Sequence, residues 1–119
     1  MKLSEAIRLG ATLGPQTFTQ WRGQNDSTCA IGAAMAAIGL KNGLSGDVEK
    51  RWPELRRIMV EYPTNKSRCC LFTAILFLND NERWSREQIA DWVASVEPQD
   101  EQTDGGQGPV QTTLEVTAV

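Results

Sequence analysis

The sequence predicts an all-α protein, folded as a compact bundle of five or six short helices. Two features favour helices: segments that are apolar at helical spacing, and the polar or proline-containing stretches that separate them. The chain has 119 residues, a usual length for one domain, and 40% of them are apolar, enough for a core of modest size. We therefore assign residues 1–96 to one helical domain, with helices 28–40 and 68–79 at its centre.

The first three helices are predicted over 4–13, 15–22 and 28–40. Ser4 carries a hydroxyl that can accept a hydrogen bond from a free amide at a helix start. Pro15 can open the second helix because the N–H that it lacks is not needed there. The third helix, capped by Ser27 or Asp26, is apolar on every side, which is typical of a buried helix. Its small residues let neighbouring backbones approach closely.

The second half of the domain is predicted to hold a turn and three helices, over 47–52, 53–59, 68–79 and 85–96. Pro53 separates the turn from the first of these helices, because proline disrupts a helix interior. Ser67 caps the next helix, whose apolar run is also compatible with a buried strand; its length and its cap favour a helix. Ser85, with Gln88 three positions later, forms a capping box at the start of the last helix.

The composition changes after Pro98. Residues 97–109 are predicted to be a flexible acidic linker, since 99–109 hold three glycines and no aliphatic or aromatic residue. Residues 110–119 then alternate with a period of two, which places Leu114, Val116 and Ala118 on one side of a strand. We take these three as candidate partner-binding residues, because a lone strand needs a neighbour. A solvated tail is the alternative.

The net charge of −3 is unevenly distributed along the chain. Residues 97–119 hold five acidic and no basic residues, a charge of −5, which leaves 12 basic and 10 acidic residues, a charge of +2, in 1–96. The densest basic region runs from Lys50 to Arg68, and its candidate contact residues are Arg51, Arg56, Arg57, Lys66 and Arg68. Interspersed glutamates favour ordinary surface ion pairs, so nucleic-acid binding by this region is kept as an alternative.

The absence of histidine excludes Ser-His-Asp and Cys-His catalysis and every histidine-containing metal site. Cys29, at the start of a buried helix, is interpreted as a small core residue. Cys69 and Cys70 are adjacent and lack the spacer that metal ligands need. We therefore expect no enzyme, no catalytic residue, no metal and no cofactor.

The compartment is expected to be the cytoplasm, of a bacterium or of a virus-infected host cell. An odd cysteine count with an adjacent pair is not typical of a secreted disulfide framework. The first residues do not form the apolar segment of a secretory signal, and the longest apolar runs have about half of the ~20 residues that cross a bilayer. No membrane partner is expected.

Two stretches carry a family resemblance: Cys-Ala-Ile-Gly-Ala-Ala at 29–34 and Trp-Ser-Arg-Glu-Gln-Ile-Ala-Asp-Trp at 84–92. With Trp-Pro-Glu-Leu at 52–55 and Leu-Asn-Asp at 78–80, they resemble a family of small uncharacterised proteins of bacteria and phages. The resemblance covers most of residues 3–96 and none of the tail. It implies no activity, and no site residue follows from it.

These observations together predict a non-enzymatic binding or assembly protein, of the kind that phages and mobile elements encode. Its C-terminal tail is expected to dock on a protein partner or on a copy of itself, which would give a homo-oligomer. The alternative is a small domain that binds nucleic acid or a small molecule through the basic region between Lys50 and Arg68.

Overall fold

Helices dominate the fold, but a short β-hairpin interrupts them. The computed structural model describes residues 1–98, apart from Thr19, Trp21 and 41–44. The helices of this part are α1, Leu3–Gly10; α2, Ala30–Ala37; α3, Ser45–Arg51; α4, Glu54–Arg57; α5, Leu71–Asp80; and α6, Arg86–Val96. The hairpin consists of the strands β1, Met59–Glu61, and β2, Arg68–Cys70, and Gln24–Asp26 form a short 3-10 turn.

The all-α prediction is wrong, because β1 and β2 form a two-stranded antiparallel sheet. The helix predicted over 53–59 ends at Arg57, and the backbone of Ile58 is already extended (φ −94°, ψ 128°). The segment around β1 alternates instead with a period of two: Val60 is buried, and Met59 and Glu61 are exposed. This alternation spans too few residues to stand out beside the helical signals around it.

The helix predicted over 15–22 is also wrong. In the structure the described residues of this segment are not helical, and its first residues pair with Thr28. The Thr28 N–H donates to the Pro15 carbonyl and the Thr28 carbonyl accepts from the Thr17 N–H, both at 2.9 Å. Isolated β-bridges join Thr28 to Gln16 and to Arg22. Long-range backbone pairing therefore replaces the local helical bonds that Pro15 could have started.

The boundaries of the buried helices differ from the predicted ones. The helix predicted over 28–40 begins at Ala30 with Cys29 as its N-cap, and the helix predicted over 68–79 begins at Leu71 with Cys70 as its N-cap. The turn predicted over 47–52 is helical up to Arg51, the last residue of α3. The capping box of Ser85 at the start of α6 is confirmed.

The core lies where α2 and α5 meet α1 and α6, and both central helices are largely buried, as predicted. The backbones of α1 and α2 approach each other closely at Gly10. A Cβ added at Gly10 would lie 1.8 Å from the carbonyl oxygen of Ala33. Gly10 of α1 therefore allows the close contact with α2 at Ala33.

The two ends of this body meet at Ser4 and Glu97. The carboxylate of Glu97 accepts a hydrogen bond from the Ser4 N–H at 3.1 Å and another from the Ser4 hydroxyl. Glu97 therefore satisfies a free amide in the first turn of α1, where negative charge is favoured by the helix dipole.

Among the described helices, we find none with the length and apolar composition that crossing a bilayer requires.

Candidate functional site

All five basic residues predicted as a contact patch are exposed. They lie in residues 50–68, called the basic segment below, which runs from the end of α3 through α4 and the hairpin. Arg51 ends α3, Arg56 and Arg57 end α4, Lys66 lies in the hairpin turn and Arg68 begins β2. The basic segment contains six basic and two acidic residues, a net charge of +4.

The basic residues differ in what they contact. Arg56 forms an ion pair with Glu49, 2.8 Å from its Nε. Arg51 donates to the carbonyl of Met1 at 2.9 Å. The structure thus brings Arg51 to the N-terminus and joins Arg56 to α3.

The remaining cations of the segment form no ion pair with any described residue; they are Lys50, Arg57, Lys66 and Arg68. Arg68 lies opposite Glu61 in the strand register. Exposed cations without a bound carboxylate are available to an acidic partner, since they need not first give up another contact.

A cleft of about 290 Å³ lies where the described chain ends. Its lining residues are Met1, Lys2, Arg51, Trp52, Glu54, Glu97 and Pro98. Pro98, the last described residue, therefore shares a cleft with Arg51 at the start of the basic segment.

Two hydrogen bonds fix the pairing of the hairpin. The Leu71 N–H donates to the Ile58 carbonyl at 3.0 Å, and the Tyr62 N–H donates to the Ser67 carbonyl at 2.8 Å. Hydrogen-bonded positions alternate along an antiparallel pair. Every second residue from Ile58 onward therefore bonds towards β2.

Met59 and Glu61 occupy the alternate positions of β1, so their backbone N–H and C=O groups point away from β2. We call these four groups the β1 edge. The side chain of Met59 is 53% exposed. No third strand pairs with the hairpin among the described residues. The β1 edge is therefore an open sheet edge beside an exposed apolar side chain.

Cys70, at the junction of β2 and α5, contacts the basic segment. Its Sγ lies 3.7 Å from Nη1 of Arg56 and 3.3 Å from the hydroxyl of Thr73. Burial acts to raise the pKa of the Cys70 thiol, but hydrogen bonds from Thr73 and Arg56 outweigh it, so the pKa is lowered.

Hydrogen bonding to the Cys69 thiol raises the pKa of Tyr62 to about 12. The described residues contain no cluster of three or more potential ligands that could hold a metal ion.

Cys29 has the opposite environment. Its side chain is 1% exposed, and its Sγ accepts a hydrogen bond from the Gly32 N–H at 3.4 Å. Burial raises the pKa of this thiol to about 11, because the thiolate would lose its hydration. Cys29 therefore stays a neutral N-cap of α2, in line with its interpretation as a core residue.

This environment predicts a pH dependence of stability. The Cys29 thiol has a pKa of 9.0 when unfolded and of about 11 when folded. The contribution of this thiol to the free energy of unfolding is therefore complete below pH 9 and is lost as the pH rises towards 11. Two pKa units correspond to about 3 kcal/mol. Cys29→Ala should lower the unfolding free energy at neutral pH by about 1 kcal/mol, through loss of the N-cap.

Urea titrations of both proteins at several pH values between neutrality and pH 11 would check this. The variant should lose less stability than the parent across the alkaline range. Equal losses in the two proteins would contradict the assignment of the shift to Cys29.

Two buried polar side chains were not found from the sequence. Asn79, 0% exposed, lies inside α5 near its C-terminal end. Its Oδ1 accepts from Nε2 of Gln16 at 2.8 Å and from the Ala30 N–H at 3.1 Å. Its Nδ2 donates to the Thr17 carbonyl at 3.0 Å and to Oδ1 of Asp80 at 2.7 Å. Asn79 thus joins α5 to the start of α2 and to the 15–22 segment.

Arg86 is the second buried polar side chain, 6% exposed in the first turn of α6. It donates to the Gly14 carbonyl at 2.7 Å and to the Thr28 hydroxyl at 2.9 Å. Burial lowers the pKa of its guanidinium, and it forms no ion pair with a described residue. Its contacts are with the chain's own loops, so we assign Arg86 a structural role.

The predicted partner-binding residues Leu114, Val116 and Ala118 lie outside the described residues. Comparisons of the chain with protein-family models, with curated proteins and with solved structures found no match. The resemblance to small bacterial and phage proteins therefore stays a prediction from the sequence.

Proposed function

We propose that this chain is a non-enzymatic binding and assembly protein that uses its C-terminal segment, 110–119, to associate with a second copy. The observation that carries the proposal is the set of exposed cations on the basic segment that form no ion pair with a described residue. The residues after Pro98 supply the complementary charge, since 99–119 carry −4 and the basic segment carries +4. The cleft that Pro98 shares with Arg51 supports this pairing of charges.

The alternation of residues 110–119 supports a docking role for them. Leu114, Val116 and Ala118 form an apolar side, and threonines and a glutamate alternate with them. A strand of this kind gains stability only when its backbone groups find a partner. Acidic residues before it would direct its approach, and the strand itself would hold the contact.

Val116→Pro is the test of this function. Proline removes one backbone donor and fixes the local backbone, so it should prevent strand pairing without touching residues 1–98. We expect multi-angle light scattering to give an oligomer for the parent chain and a monomer for Val116→Pro.

Gln107→Pro is the matched control, because it places the same residue in the linker, where no pairing is proposed. It should keep the oligomeric mass. A parent chain that is monomeric at every concentration, or a Val116→Pro variant with the parent's mass, would refute the proposal.

Nucleic-acid binding is a second candidate, favoured by the same cations of the basic segment, which have no ion-pair partner in the described part of the chain. In that case the acidic tail would compete with the nucleic acid, and a chain ending at Pro98 should bind a single-stranded oligonucleotide more tightly than the full chain. Lys66→Gln should weaken that binding and reduce its salt dependence. Unchanged affinity in both variants would remove this candidate.

A further inference from the structure

The β1 edge offers a specific docking site. It presents two N–H donors and two C=O acceptors at Met59 and Glu61, with no third strand among the described residues. Open edges of this kind pair readily with an added strand, which supplies the missing hydrogen bonds. The exposed Met59 side chain would give such a strand an apolar contact.

Residues 110–119 have the composition that this edge requires. Valine and threonine, which favour extended backbone, make up six of these ten residues. The segment is also longer than the three residues of β1. It can therefore pair along the whole edge and place Val116 or Leu114 beside Met59.

The segment can reach this edge. The eleven residues 99–109 span up to about 36 Å when extended. Glu54 lines the cleft that holds Pro98, and Met59 follows Glu54 by only five residues, at most about 19 Å along the chain. The linker is thus longer than the distance to the hairpin of its own chain, and the excess length lets it reach the same hairpin of a second copy lying beside it.

We propose that residues 110–119 of one copy add as a third strand to the β1 edge of a second copy. This inference rests on the proposed function and names the contact that it uses. Reciprocal exchange would fill both open edges in a closed, two-fold dimer, whereas a chain that covers its own edge would stay a monomer. The basic segment of each copy would face the acidic linker of the other.

Amide hydrogen exchange on the full chain tests the site directly. The Met59 and Glu61 amides should exchange at least about tenfold more slowly in the parent chain than in Val116→Pro. The Val60 amide, on the alternate position that bonds towards β2, should be equally protected in both and serves as the internal reference. Equal exchange of Met59 and Glu61 in the two proteins would overturn the proposal.

A mixing experiment distinguishes an edge that pairs with the tail of a second copy from an edge that pairs with the tail of its own chain. Isotope-labelled Val116→Pro, whose own tail cannot pair, should regain protection at Met59 and Glu61 when unlabelled parent chain is added in excess. Protection that appears in the parent chain and is never restored by mixing would mean that each tail covers its own hairpin, which overturns exchange between copies.

Met59→Pro provides a variant on the other side of the contact. It removes an N–H of the β1 edge without removing a β1–β2 bond, and the extended Ile58 already has the backbone that precedes proline. We expect this variant to be a monomer with the parent's circular dichroism spectrum. If light scattering shows an oligomer that Val116→Pro abolishes but Met59→Pro keeps, the docking site is wrong and the proposed function stands. A monomeric parent chain would refute both.

Discussion

Gly10→Ala is expected to destabilise the protein by about 3 kcal/mol, near the upper end of the usual effects of overpacking. The added methyl group would lie 1.8 Å from the Ala33 carbonyl oxygen and 2.3 Å from its carbonyl carbon. Both are backbone atoms, so no side chain can rotate away, and α1 must move from α2. That movement also disturbs the core around Ile7 and Ile31, which are fully buried.

Gly46→Ala is the matched control for this experiment. Gly46 lies in α3, and no heavy atom would come within 4 Å of its added methyl group. Alanine there should stabilise the helix by up to about 1 kcal/mol. Urea denaturation of the three proteins measures both effects. A Gly10→Ala variant as stable as the parent would show that α1 and α2 do not pack as closely as the structure has them.

Asn79→Ala is expected to cost about 3 kcal/mol as well. The substitution removes the partner of the buried Ala30 N–H and of the partly buried Thr17 carbonyl. The loss of a buried partner costs about 1–3 kcal/mol. The amide of Gln16 also loses one acceptor, although it keeps the Trp84 carbonyl at 2.8 Å. The segment around Thr28 should therefore loosen together with the start of α2.

The exposed Asn81, two residues later, provides the control. Asn81→Ala should change the unfolding free energy by less than about 0.5 kcal/mol, as is usual for exposed positions. Hydrogen exchange adds a local readout, since the Ala30 amide should lose its protection in Asn79→Ala alone. Retained protection of that amide would contradict the role assigned to Asn79.

Local signals in the sequence predicted the parts of the fold that depend on neighbours in the chain. The capping box of Ser85 and Gln88 needs only four residues, and α6 begins where it predicts. The uniformly apolar composition of α2 and α5 was likewise sufficient to place them in the core. Each of these features is encoded within one helix.

Distant partners decided the parts that the sequence did not predict. Ser67 is a better N-cap than Cys70 by residue type, yet Cys69 and Cys70 are held extended by pairing with β1. Pro15 did not open a helix, because its carbonyl bonds to the N–H of Thr28, thirteen residues later. Both outcomes depend on contacts that periodicity cannot reveal.

The candidate site could likewise be predicted only where it does not depend on contacts between distant residues. The basic residues could be named from the sequence, since charged residues at a surface need no partner to be exposed. The β1 edge could not, because no strand was predicted there. The cleft at Pro98 could not be predicted from the sequence either, because it forms where the end of α3 meets the two ends of the body.

The contact of Glu97 with Ser4 has a consequence for the order of folding. It joins residues 93 positions apart, and closing so long a loop costs conformational entropy that a single contact cannot offset. α1 has only eight residues, too few to persist as an isolated helix. It should therefore form late, once α2 and α6 offer a surface. Substitutions that weaken the contacts of α1 should then raise the unfolding rate more than they lower the folding rate.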